Sequence, residues 1–340
     1  MNLMLTGGMG YIGSHIAVQL ASLGHGILIY DNLSNSSKRV LTNLETITGL
    51  RITFVRGDVR ETNKLIKILC DQKIDSIIHL AGLKAVGDSV IDPSAYYDNN
   101  IYGAISLLKA MESSHIDNLI FSSSATVYGE PKYLPIDESH QLDAKNPYGL
   151  TKKTTEEIFN NYCEQKSNKK VISLRYFNPV GAHSSGLIGE RPTGIPTNLM
   201  PYIAQVANGE RPFLNIYGNL YPTKDGTGVR DYIHVEDLAE GHVAALNYIG
   251  LMKSNTDVFN LGTGEGYSVL EVVEKYSEVS GKIIPKKVVS ARPGDIPECY
   301  ANTSKASEIL GWEAKRDLSD MCQSSWNYQR KFKLNEKEEI

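Results

Sequence analysis

Three glycines at intervals of three, Gly7, Gly10 and Gly13, constrain this chain more than any other feature. They lie in Thr6-Gly7-Gly8-Met9-Gly10-Tyr11-Ile12-Gly13, between a short apolar run and a helical pattern. Gly7 allows a tight turn, Gly10 lets backbone approach a pyrophosphate, and Gly13 lets the helix pack closely on the strand. The helix start then offers free N–H groups and a partial positive charge to phosphates. The spacing is GxxGxxG rather than GxGxxG, and taken alone such a loop could be only a turn. The next apolar run ends in Tyr30-Asp31. A carboxylate there can accept both ribose hydroxyls of an adenosine and repels a 2′-phosphate, which favours NAD over NADP.

The rest of the first half repeats this rhythm. Apolar, partly β-branched runs at 3–6, 27–30, 52–55, 76–81, 118–122 and 171–175 are continuous rather than alternating, as expected of parallel strands covered on both faces. Helical patterns at 12–23, 62–72, 93–113 and 148–166 separate them. The expected fold class is α/β, a doubly wound parallel sheet of Rossmann type. After Asn178 the texture changes: 179–196 is rich in Gly and Pro, helices are expected at 199–208, 236–248 and 268–280, and short strands at 231–234 and 258–261. This predicts a smaller α/β lobe over the carboxyl edge of the sheet. The expected division is 1–177 for the cofactor domain, 178–330 for the lobe, which could return segments to the first domain, and 331–340 as a charged tail that frays.

Composition excludes several classes. The net charge of −4 is spread along the chain, with no basic block for nucleic acid. No apolar run reaches the roughly 20 residues needed to span a bilayer, and the N-terminus reads as a strand rather than a leader. Cysteines 70, 163, 299 and 322 are far apart, and the eight histidines show no metal-ligand spacing. These features predict a cytoplasmic protein with reduced thiols and no metal site.

A second constellation carries chemistry. In Tyr148-Gly149-Leu150-Thr151-Lys152, Tyr and Lys at i and i+4 share a helix face. A tyrosine with an unperturbed pKa of about 10 becomes a base near neutrality only beside positive charge; a shift of ~3 units needs roughly 4 kcal/mol. A neighbouring ammonium and a nicotinamide cation would both favour the phenolate. Chance also produces YxxxK, but here a hydroxyl-rich strand end, Ser122-Ser123-Ser124-Ala125-Thr126, precedes it. A serine there can bond a substrate oxygen and relay its proton to Tyr148. Asp58 and Val59 after the third strand, and Leu80, Ala81, Gly82 and Lys84 after the fourth, stand where a cofactor would pass.

With these residues in place, the chain resembles the UDP-glucose (UDP-galactose) 4-epimerases of the extended short-chain dehydrogenases. The resemblance runs from about residue 2 to 327, through motifs at 6–15, 31–36, 81–87, 96–100, 122–129, 148–152, 175–183 and 226–235. It implies tightly bound NAD, UDP-sugar substrates and a homodimer built on a four-helix bundle from the 93–113 and Tyr148 helices. Leu107, Leu108 and Met111 could equally pack on the sheet. It implies that Tyr148 takes the O4 proton, Ser124 bridges, and Lys152 holds the nicotinamide ribose while lowering the tyrosine's pKa. C4 gives its hydride to NAD, and the 4-keto sugar turns over and takes it back. The family places Tyr11, Ile12, Asn32, Asn35, Ser36, Asn99, Ser122 and Phe177 with the cofactor. It places Lys84, Thr126, Asn178, Asn198, Leu199, Asn215, Tyr217, Arg230 and Arg292 with the substrate.

One position departs from the family pattern. Cys299 stands where bacterial UDP-glucose-only relatives place a tyrosine beside the sugar's C2 substituent. The expectation is a dual-specificity enzyme that also accepts UDP-GlcNAc and UDP-GalNAc. The alternatives are a UDP-glucose/UDP-galactose enzyme in which Tyr300 or a loop fills the gap, an NDP-sugar 4,6-dehydratase, and a non-catalytic NAD sensor. Ala125 and Thr126 stand where the dehydratase needs an acid pair.

Overall fold

The computed structural model describes residues 1–338 apart from Thr193 and Pro293, with side chains through Phe332. Six strands of the first half, β1 (Asn2–Thr6), β2 (Gly26–Asp31), β3 (Thr53–Arg56), β4 (Ser76–His79), β5 (Asn118–Ser124) and β6 (Lys170–Tyr176), join the strand Thr256–Leu261 in one seven-stranded sheet. From one edge the order is Thr256–Leu261, β6, β5, β4, β1, β2, β3, and every pairing is parallel. The continuous apolar runs are explained by two-sided burial. Leu3, Leu5, Ile29, Ile120 and Ile172 enter one core, while Met4, Leu28, Ile77, Leu119 and Val171 enter another. Successive strand residues face opposite layers, so a sheet covered on both sides needs both sets apolar.

Two segments beyond residue 177 belong to this sheet layer. The helix Val235–Ile249 packs Leu238, Ala239 and Leu246 into the same core as Ile16, Ala17 and Leu20 of the first helix, Tyr11–Ser22. Strand Thr256–Leu261, expected in the smaller lobe, pairs with β6 because Phe259 and Leu261 are wholly buried there. The lobe itself has a separate core. Helices Leu199–Ala207, Val269–Ser280 and Leu318–Glu338 enclose Met200, Ile203, Val272, Tyr276, Met321 and Trp326. The last helix runs on through residue 338, and Phe332 lies 3.7 Å beneath the Arg191 guanidinium; 339–340 lie outside the described residues.

The single helix expected over 93–113 is three pieces: Pro93–Tyr96, a wide π-type turn Tyr97–Tyr102, and Gly103–Ser113. Leu107, Leu108 and Met111 pack on the sheet. Among the described residues no helix is long and apolar enough to cross a membrane. None of the four cysteines is paired; Cys70 is exposed and the others are buried.

Candidate active site

A cleft of about 1020 Å³ opens along the carboxyl edge of the sheet, above the glycine loop. Its volume is at the upper end for small-molecule sites. Gly7 has φ +73°, and a Cβ added there would lie 2.7 Å from the Ala81 nitrogen; one at Gly13 would lie 2.5 Å from the Gly7 carbonyl oxygen. Only glycine satisfies both positions. The first helix begins at Gly10 with no side-chain cap and no acidic residue in its first turn, which leaves its N–H groups to an anion. Asp31 accepts hydrogen bonds from the Met9 N–H (3.0 Å), the Leu33 N–H (2.8 Å) and the Ser36 hydroxyl (3.2 Å), tying the glycine loop to the loop after β2. Cradle, uncapped helix and carboxylate fit a dinucleotide.

The cleft wall includes Gly7, Gly10, Tyr11, Ile12, Gly13, Asp31, Asn32, Asn35, Ser36, Val59, Leu80, Ala81, Gly82, Lys84, Asn99 and Ser122, with Asn198 from the smaller lobe. Four residues expected on the cofactor side lie off that wall: Asp58, Tyr148, Lys152 and Phe177. Asp58 is engaged by the protein. Arg60 grips it through Nε and Nη2, each at 2.8 Å, Asn32 donates at 3.0 Å, and the guanidinium holds the carboxyl well below the usual carboxylate range.

Behind Ser122 lies the tyrosine helix, Pro147–Gln165, capped by the Asn146 side chain, which accepts from the Gly149 N–H at 2.8 Å. Lys152 is buried and donates to the Ser122 carbonyl oxygen at 2.5 Å, with its Nζ 5.9 Å from the Tyr148 ring centroid. Burial pushes its pKa down to about 8, opposed by Glu156. The Ser124 hydroxyl, which accepts from Thr126 Oγ1 at 3.0 Å, faces the Tyr148 phenol. Burial raises the phenol's pKa above its ordinary value; the Ser124 bond and the charge of Lys84 lower it. The reading from sequence assigned that lowering to Lys152. The Lys152 ammonium, although it donates to the Ser122 carbonyl, stands 5.9 Å from the phenol ring centroid, a position from which its charge also favours the phenolate.

The remaining expected residues lie at the end of β6 and across the smaller lobe. Asn178 takes its N–H to the Asp231 carbonyl (2.9 Å), and the Asp231 N–H reaches the Cys299 carbonyl (3.0 Å). The Asp231 carboxylate, fully buried, accepts from the N–H groups of Thr263, Gly264 and Ala301. Phe177 and Cys299 share a small apolar cluster with Ala125 and Val127. Arg230 pairs with Asp295 at 2.5 Å, and Arg292 stacks 3.9 Å over Tyr217, on the strand Leu214–Tyr217 that also carries Asn215. Leu199 opens its helix, whose N-terminus has no side-chain cap because Asn198 donates to Glu190 instead, at 2.7 Å.

Sequence reasoning missed three residues that hold this site. Asn100, in the wide turn, bonds both backbone groups of Leu83 (2.8 and 3.0 Å) and the Thr151 hydroxyl (3.0 Å), joining the Lys84 loop to the tyrosine helix. Glu156 pairs with Arg175 of β6 through Nε (3.1 Å) and Nη2 (2.7 Å) and accepts from the Ser123 hydroxyl. Its position two turns after Tyr148 and one after Lys152 was a usable signal. Glu190 contacts Lys84 across the cleft at 2.8 Å, and only the fold brings them together.

Known proteins agree with this geometry. Residues 4–325 match the family model described as GDP-mannose 4,6 dehydratase. The chain is 52% identical to the UDP-glucose 4-epimerase of Bacillus subtilis (strain 168) over 329 residues, 97% of each. It superposes with TM-score 0.96 on a UDP-glucose-4-epimerase from Stenotrophomonas maltophila with bound NAD and formylated UDP-arabinopyranose, at 45% identity, covering 98% of this chain and 99% of that one. The Bifidobacterium longum UDP-glucose 4-epimerase in complex with NAD+ and UDP superposes with TM-score 0.94 at 48% identity, covering 97% and 98%. The family model spans dehydratases, yet Ala125 and Thr126 supply no acid beside Ser124. By sequence and by fold along nearly its whole length, the chain belongs to the UDP-glucose 4-epimerase family.

Proposed function

We propose that this chain interconverts UDP-glucose and UDP-galactose by inverting C4 of the hexose, with NAD in the glycine-loop cleft. The observation that carries the reading is the cluster of Tyr148, Lys152 and the Ser122–Ser124 strand end directly behind the glycine-loop cleft. When bound, the cofactor supplies the hydride acceptor for C4 and the donor that returns it. The chain's own groups move the proton. Tyr148 receives it from O4 through or beside Ser124 and later gives it back. In the free chain burial keeps this phenol protonated at neutral pH, so it becomes a base only when further positive charge is brought beside it. Arg230, Arg292 and the uncapped helix at Leu199 suit a pyrophosphate, since planar guanidinium groups bind its oxygens bidentately.

The same site supports acceptance of N-acetylated hexoses. The strand Glu298–Cys299 ends before Tyr300, and the two side chains have different neighbours. Cys299 joins the Phe177 cluster, while the Tyr300 ring packs toward Gly266 and Val229. Tyr300 therefore does not refill the space a tyrosine at 299 would take. For assembly, Tyr97, Tyr102 and Leu150 are exposed on the wide turn and the tyrosine helix, and this face fits a homodimer.

Incubation with UDP-galactose and, separately, UDP-GalNAc, with products resolved by chromatography, tests the reading. Conversion of both is expected. Conversion of UDP-galactose alone would remove the N-acetyl reading, and conversion of neither by NAD-loaded protein would remove the function. A monomeric mass in light scattering at micromolar concentration would remove the dimer.

A further inference from the structure

The last helix reaches back to the cofactor cleft. Tyr328, Lys331 and Phe332 stand at i, i+3 and i+4 on Leu318–Glu338 and so share one face. Each meets the segment 185–191, which runs between the lobes and, from Gly186 onward, supplies one wall of the glycine-loop cleft. Lys331 Nζ donates to the Ser185 carbonyl at 3.0 Å, an added Cβ at Gly189 would stand 2.6 Å from the Tyr328 ring, and the Arg191 guanidinium lies 3.7 Å over the Phe332 ring. A second helix holds the same segment. Lys38–Thr48, which follows the Asp31 loop, carries Arg39 and Asn43 at i and i+4. Asn43 donates to the Leu187 carbonyl at 2.7 Å, and the Arg39 guanidinium lies 5.7 Å from the centroid of the same Phe332 ring. Arg39, Asn43, Arg191, Tyr328 and Phe332 all line the cleft.

Taking the cleft as the NAD site, the reading on which this step rests, we infer that Phe332 is a positioning residue for the cofactor. Its ring draws Arg39 and Arg191 together at the Asp31 end of the cleft, and the lifetime of that clasp sets how slowly NAD leaves. Two guanidiniums brought to one place repel each other; a shared aromatic face, negative at its centre, offsets this by attracting both. Arg39 belongs to the helix beside Asp31 and Arg191 to the segment between the lobes, so parting these two elements takes a guanidinium off the ring. Ile188 is buried in the main core and fixes the middle of the segment. Beyond it the chain reaches the exposed Ile195, and the Arg191–Phe332 contact ties this outer part down. Phe332 is uncharged. Its removal leaves every charge in the cleft in place, which separates a clasp from direct contact between the arginines and a phosphate.

The test follows the exchange of bound NAD for added deuterated NAD in the NAD-loaded protein by native mass spectrometry. In Phe332→Ala exchange is expected to quicken about tenfold, the loss of two contacts of ordinary cation–π strength. Phe332→Trp, which keeps an aromatic face, should restore slow exchange. Asn43→Ala, which frees the segment from the other helix, should quicken exchange as well. In both fast variants amide hydrogen exchange should rise over 186–191 while the strands of the main sheet keep their protection, the signature of a local opening. Unchanged NAD exchange in Phe332→Ala or in Asn43→Ala would overturn the proposal. So would a Phe332→Trp protein as fast as Phe332→Ala, or a rise in amide exchange spread over the whole sheet. A parent protein that takes up no NAD would instead overturn the reading of the cleft.

Discussion

Replacing Glu156 by alanine tests whether the catalytic helix is anchored by charge. Glu156 and Arg175 are each 4% exposed, and the guanidinium meets both carboxylate oxygens. After truncation Arg175 retains only neutral acceptors, the Tyr128 hydroxyl at 2.9 Å and the Glu138 carbonyl at 3.3 Å. Removing one partner of a buried pair costs about 3–5 kcal/mol, because the other charge is left in a poor solvent. The Ser123 hydroxyl loses its acceptor as well, worth about 1 kcal/mol more. Urea unfolding of Glu156→Ala should therefore show a loss of about 4–6 kcal/mol, a large part of the stability of a typical domain. Glu156→Leu with Arg175→Met should recover most of it, since an apolar pair of similar volume carries no desolvation penalty. The single variant should also carry Lys152 below its pKa of about 8, because Glu156 is the group that opposes burial there. A single variant that loses less than 1 kcal/mol, or a double variant no better than the single, would refute the reasoning.

Lys152 has a folded pKa of about 8, below its unfolded value of about 10.4, so the unfolded chain binds the extra proton between those pH values and the group's stability contribution rises across that window. Below it the buried ammonium costs about 3 kcal/mol, offset by about 1 kcal/mol from its bond to Ser122; cofactor-free Lys152→Met should unfold at higher urea than the parent at pH 7, with the gap closing towards pH 10, and a gap independent of pH would contradict this. Gly7→Ala forces an alanine to φ +73° against the Ala81 backbone, a strain of about 1–3 kcal/mol before any clash is relieved; a thermal melt should show the loss, and titration with NAD should show affinity reduced at least tenfold. Cys299→Tyr should abolish conversion of UDP-GalNAc while sparing UDP-galactose, and full retention of both activities in the chromatographic assay would dismiss the pocket argument.

What could be read in advance divides by the range of the interaction. Strand and helix positions in the first half follow from local periodicity. The glycine loop follows from steric need at Gly7 and Gly13, and the Tyr148–Lys152 pair from helical spacing. The helix Lys38–Thr48 is absent from that reading, although Val40, Leu41, Leu44 and Ile47 form an apolar face that packs on the main core. Placement of Val235–Ile249 and Thr256–Leu261 on the main sheet depends on which core they complete, and their patterns fit either lobe. The wide turn at Tyr97–Tyr102 breaks a run that reads as one helix, and only the contacts of Asn100 with Leu83 and Thr151 show what the extra residue achieves. Such turns inside helices often mark functional sites. Glu190 and Lys84 are 106 residues apart, beyond any local pattern.

The electrostatics of the site follow from one conflict. A proton acceptor shielded from water must be buried, and burial favours its neutral form. Tyr148 is accordingly pushed the wrong way for a base, and so is Lys152, whose ammonium is needed nearby. The fold answers with carboxylates placed one shell further out: Glu156 beside Lys152, tied to Arg175, and Glu190 beside Lys84, tied to Asn198. Glu156 works against burial at Lys152, and Glu190 pairs directly with the half-exposed Lys84. Were either placed against Tyr148 itself, its charge would oppose the phenolate that the lysines favour. On the proposed function, the free site holds a protonated tyrosine, and the positive charge arriving with the bound cofactor decides when it becomes a base.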